Sequence, residues 1–86
     1  MIEKSFTIKN ETGLHARPAS QFIQKAITYK SSIKVKKDNK EANAKSIISV
    51  LSLGAGIGSE IQLVIDGVDE QEAADGLLAL LESFVD

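Results

Sequence analysis

From Ile2 to Lys9 apolar and polar residues take turns, with Ile2, Lys4, Phe6 and Ile8 on one side and Glu3, Ser5, Thr7 and Lys9 on the other. A period of two gives a strand one largely apolar face for a core and one face for water. Asn10 to Gly13 then supplies turn chemistry, Gly13 being free to adopt a positive φ that other residues resist. After residue 15 the period changes. At about 100° per residue from Ala16, Ala19, Phe22, Ile23, Ala26 and Ile27 collect on one side of a helix, and Arg17, Gln21, Gln24 and Lys25 on the other.

Ile33 and Val35 sit between lysines, Asp38-Asn39 is a turn, and residues 40–43 form a short return strand, so this stretch predicts a hairpin. Ser46 is a favoured N-cap ahead of a short helix over 47–53 that Gly54 ends, while Gly56 and Gly58 predict a flexible return loop. Ile61, Leu63 and Ile65 alternate with Gln62 and Val64 in a last strand, closed by Asp66-Gly67. Asp69 and Glu72 resemble a capping box, opening a final helix whose Ala73, Ala74, Leu77, Leu80, Leu81 and Phe84 face one way. The order is βαββαβα. Its most economical packing is a two-layer α+β fold, with three helices covering one face of a four-stranded antiparallel sheet.

The short helix over 47–53 is apolar nearly all round and cannot bury every side. Val50 and Leu53 are assigned to the core, while Ile47, Ile48 and Leu51 form an exposed patch suited to transient docking.

Composition narrows the function. At 86 residues, 43% hydrophobic and 26% charged, the chain is expected to be one folded domain over 1–86. No segment reaches the roughly 20 apolar residues that cross a bilayer, and the start lacks a basic-then-apolar signal, so the expected location is cytoplasmic, without membrane insertion. There is no cysteine and one histidine, which excludes disulfides and thiolate metal sites; neither metal nor cofactor is expected. A net charge of -2 gives no general attraction to nucleic acid. The charges are nonetheless polarised. All ten Lys and Arg fall within residues 1–45, and the remainder carries eight acids and no base, a distribution that suits steered docking of a charged partner.

The chemistry concentrates in Gly13-Leu14-His15-Ala16-Arg17-Pro18-Ala19. With His15 as N-cap, Pro18 is the third helical residue, where an N–H would have no helical partner. The backbone N–H groups of Ala16 and Arg17, together with the helix dipole, then offer an anion site beside the imidazole. Neutral imidazole is nucleophilic near pH 7 and also leaves readily, which is what a reversible phosphoryl carrier needs. Arg17 is placed to neutralise phosphoryl oxygens. A lone histidine before a helix is also often a plain cap, so spacing by itself does not decide.

That segment resembles the active-site signature of the HPr family, the histidine-containing phosphocarriers of the bacterial phosphoenolpyruvate-dependent sugar phosphotransferase system. Asn43-Ala44-Lys45-Ser46-Ile47 with Leu51-Ser52-Leu53-Gly54 resembles the family's regulatory serine segment, Asp69-Glu70 sits where the family has it, and the resemblance covers essentially the whole chain. It implies an open-faced β-sandwich and a monomeric relay that is not itself an enzyme. In that relay His15 is phosphorylated at Nδ1 by enzyme I and discharged to enzyme IIA domains for sugar uptake, with Arg17 assisting the phosphate. It also implies Ser20, Ile47, Ile48 and Leu51 as partner-binding residues.

Ser46 has two readings. As an N-cap it contributes about 1 kcal/mol; as a phosphorylation site it adds charge where a helix N-terminus tolerates it. In related proteins the matching serine is modified by an HPr kinase/phosphorylase, which hinders enzyme I and promotes binding to a catabolite-control repressor. Many relatives carry Met where Ile48 stands and Gly where Ser49 stands, which bears on partner preference.

Three rivals stand beside this reading. A Crh-like regulatory relative would work through Ser46 and lack the active histidine, against which His15 argues. A carrier of a nitrogen-related branch would share the same chemistry. An RNA-reading module of ferredoxin-like topology would need paired aromatics on its strands, where only Phe6 is available.

Overall fold

The computed structural model describes residues 1–84. Its elements are β1 (Ile2–Thr7), α1 (Ala16–Ala26), β2 (Ser32–Lys37), β3 (Lys40–Asn43), α2 (Ile47–Ser52), β4 (Glu60–Asp66) and α3 (Glu70–Ser83). The order βαββαβα is therefore the one that the hydrophobic pattern predicts.

The four strands make one antiparallel sheet in the order β1-β4-β2-β3. β4 lies between β1 and β2, with Phe6 opposite Ile61 and Val35 opposite Leu63. Alternation aims Phe6, Ile33, Val35, Ile61, Leu63 and Ile65 at the helices, where all are buried, while Glu3, Ser5, Lys34, Lys36 and Glu41 lie on the other face in water. The result is the open-faced sandwich, with helices on one side only.

The core closes with Ala19, Phe22 and Ala26 of α1, Val50 of α2, and Ala73, Ala74, Leu77 and Leu81 of α3. Burying such side chains contributes about 1.5–3 kcal/mol for each large one. Because Phe6 points into this core, the open face carries, among the described residues, no strand aromatic for stacking bases, which weakens the RNA-module rival further.

Two details depart from the sequence pattern. Ile27, expected on the apolar side of α1, is 57% exposed. α1 ends at Ala26, and the following turn brings half-buried Tyr29 against the core instead. On α3 it is Leu78, and not the predicted Leu80, that packs against the core beside Ala73, Ala74, Leu77, Leu81 and Phe84.

The capping box is also replaced by something else. Asp69 makes no side-chain bond to its own helix. Its carboxylate accepts from the Lys30 N–H at 2.8 Å, the Ser31 N–H at 2.9 Å and the Ser31 hydroxyl. The turn between α1 and β2 presents these donors together, so the acid is drawn across the fold and away from its helix. These bonds hold its carboxyl below the usual value, the Ser31 hydroxyl contributing most. Glu70 instead accepts from the Gly67 N–H, at 3.1 Å.

Candidate functional site

The chain leaves β1 through a turn in which the Gly13 N–H donates to the Asn10 carbonyl at 3.1 Å. Gly13 has φ 64°, and a Cβ there would collide with the Ala55 carbonyl oxygen, so both conformation and space require glycine. The next residue, Leu14, is buried and donates its N–H to that same carbonyl at 2.8 Å. The glycine-rich loop after α2, expected to be flexible, is thus hydrogen-bonded to the segment that delivers His15.

His15 occupies the N-cap of α1 with extended dihedrals and no side-chain capping bond, and it is exposed. Ala16 follows with φ 44°, a left-handed conformation that costs a residue with a Cβ about 1–2 kcal/mol. The predicted register holds: Pro18 is the third residue of α1, and exposed Arg17 precedes it. His15, Ala16, Arg17 and Pro18 line an open hollow of about 430 Å³. Among the described residues, neither the imidazole nor the guanidinium is held back by a hydrogen bond or an ion pair. Such a hollow, with an imidazole and a guanidinium beside a helix start whose first N–H groups lack helical acceptors, suits a transient phosphoryl group.

The same hollow contains Thr12, Gln21, Ser83 and Phe84, which the sequence pattern does not assign to the site. Phe84, predicted on the core face, is half-buried, packing on the core while also bordering the hollow. The signal for Ser83 and Phe84 is topological. Asp69 at the start of α3 meets residues 30 and 31 just beyond α1, so α3 runs back toward the start of α1.

A second shallow hollow of about 190 Å³ joins His15 to Thr12, Leu14, Leu51 and the 54–56 loop. α2 divides as expected, with Val50 and Leu53 buried and Ile47, Ile48 and Leu51 exposed, Ile48 at 78%. Leu51 therefore borders the histidine, and Ile47 and Ile48 extend the apolar surface along the same helix. Ser20, on α1, is half-buried, with its hydroxyl accepting from the Gln24 amide at 3.5 Å. Ser46 is the N-cap of α2 and accepts from the Ser49 N–H at 3.4 Å; it is half-buried. The capping reading of that serine is therefore met, and the residue stays partly exposed.

Comparison with known proteins finds relatives of two kinds, phosphocarrier proteins HPr and HPr-like Crh proteins. The family model described as "PTS HPr component phosphorylation site" matches residues 2–83. The HPr-like protein Crh of Halalkalibacterium halodurans is 49% identical over 82 residues, covering 95% of this chain and 98% of the relative. The phosphocarrier protein HPr of Cupriavidus necator is 46% identical over 81 residues, covering 94% and 91%. A crystal structure of HPr-C-His from Thermoanaerobacter tengcongensis superimposes with a TM-score of 0.94 at 51% identity, covering 96% of this chain and 93% of that one.

Proposed function

Since the chain belongs to the HPr family of phosphotransferase-system phosphocarriers, we propose that it takes a phosphoryl group from phospho-enzyme I on Nδ1 of His15 and passes it to enzyme IIA domains during sugar uptake. What supports this reading most is an exposed imidazole at the start of α1 in the same open hollow as Arg17.

In the transfer, Nδ1 attacks phosphorus as the bond from phosphorus to the donor's leaving atom breaks, and that atom keeps the departing electron pair. Discharge is the same step with a nucleophile of the acceptor attacking and Nδ1 leaving with the electron pair. Charge on the phosphoryl oxygens is met by Arg17 and by the N–H groups of Ala16 and Arg17. The shallow, open hollow favours release over retention, as a relay requires. Ile47, Ile48, Leu51 and Ser20 form the surface on which enzyme I and the IIA domains alternate, with the protein acting as a monomer in the cytoplasm.

Ser46 is the regulatory position. Phosphorylation by an HPr kinase/phosphorylase places about -1.5 to -2 charge at the start of α2, beside the docking surface. That charge hinders enzyme I and favours a catabolite-control repressor. His15 weighs against a purely Crh-like role, which dispenses with the histidine.

The test is incubation with phosphoenolpyruvate and enzyme I, followed by intact mass and acid treatment. An acid-labile phosphate on wild type that His15→Ala lacks is the expected result; equal phosphate on both rejects the reading. With ATP and the kinase, wild type gains an acid-stable phosphate and Ser46→Ala does not.

A further inference from the structure

Asn10 is a buried polar side chain, 6% exposed, in a chain whose core is otherwise almost wholly apolar. Its carboxamide serves no strand or helix. The amide nitrogen donates to the Gly13 carbonyl at 3.0 Å and lies 3.5 Å from the Thr12 hydroxyl, while its backbone carbonyl receives the Gly13 N–H. Every one of these bonds stays within the four residues that lead to Leu14 and His15.

The far end of this segment is fixed independently. Leu14 is buried and bonded to the Ala55 carbonyl, and Gly13 is pressed against Ala55 and Gly56. The peptide before His15 is therefore held from two sides, by Asn10 within the loop and by Ala55 across it. Between them they set where the histidine backbone enters α1, and Asn10 also steadies Thr12, which borders both hollows around the imidazole.

We infer that Asn10 is a positioning residue for phosphoryl transfer: its buried carboxamide shapes the 10–13 turn so that His15 and Thr12 are presented to an incoming phosphoryl group. Asn10 does not touch that group. The inference rests on the phosphocarrier reading, and it concerns the chemical step more than partner affinity, since Asn10 is buried and outside the exposed α2 patch. A buried donor bonded only inside a catalytic loop acts through geometry, and displacements near 1 Å cost transfer rates heavily.

The test is steady-state phosphorylation of the full chain by enzyme I and phosphoenolpyruvate, with thermal unfolding measured in parallel. Asn10→Ala lowers kcat about tenfold, with KM held within about twofold. Asn10→Asp keeps the shape, replaces the donor by an acceptor facing the Gly13 carbonyl, and is at least as slow. Wild-type turnover in both folded variants overturns the inference while leaving the carrier reading intact, whereas a wild type that takes no phosphate overturns both. A measurement on the wild type alone guards against a variant that fails to fold. Amide exchange at Gly13 and Leu14 is expected to be protected, and exchange at the rate of an unstructured peptide contradicts a pinned loop.

Discussion

Two helices of this chain begin on a residue that makes no side-chain bond to its own helix, and the rest of the fold treats them oppositely. At α3, the Asp69 carboxylate is saturated by Lys30 and Ser31 from another part of the chain. At α1, the His15 side chain is left exposed, next to Ala16 in a left-handed conformation. One terminus has its polar group committed to holding the fold together. The other keeps its polar group available, and the neighbouring backbone stays strained. A reversible carrier needs this second arrangement, because a side chain already bonded within the fold would have to be released at each transfer.

The comparison breaks most sharply at the histidine. His15→Ala abolishes phosphate uptake yet changes unfolding free energy by no more than about 0.5 kcal/mol, as for an exposed site without partners, measured by urea denaturation. The opposite terminus behaves in reverse. A methyl group at Gly67 would lie 2.5 Å from both Cα and Oγ of Ser31, so Gly67→Ala costs about 1–3 kcal/mol of stability while phosphate uptake persists in the folded fraction.

Acid separates the two ends as well. The Asp69 carboxyl is held below its ordinary value of 3.8 by Ser31 and then by the Lys30 N–H. Its contribution to stability is therefore complete above that value and lost as pH falls through the lower, folded one. The Asp69→Asn variant lacks this dependence, so denaturation curves of variant and wild type differ at neutral pH and converge in acid. The smallest effect belongs to the strained residue: Ala16→Gly relieves the left-handed cost but frees the unfolded chain, a net gain of about 0.5–1 kcal/mol, read as a higher denaturation midpoint.

Much of this molecule is legible in its sequence because two periods encode two layers. Ile61, Leu63 and Ile65 announce a buried face by alternation, and α2 is separable into Val50 and Leu53 against Ile47, Ile48 and Leu51 by helical angle. The glycine turn, histidine, arginine and proline are contiguous, so the centre of the site is legible too. What escapes is whatever depends on contact across the chain. Asp69 and Glu72 have capping-box spacing, but donors at 30 and 31 outcompete the helix for the acid. The Ala55 carbonyl, Ser83 and Phe84 reach the surroundings of the histidine only after the sheet and helices are assembled. Asn10 looks like ordinary turn chemistry until its burial is known.

The most direct test of the central claim observes the imidazole itself. After incubation with phosphoenolpyruvate and enzyme I, nitrogen-15 and phosphorus-31 NMR of the labelled protein should show phosphorus coupled to Nδ1 of His15, and the signal should vanish when an acceptor IIA domain is added. An unchanged His15 imidazole spectrum, with phosphorus absent or held as a serine ester, would contradict the account.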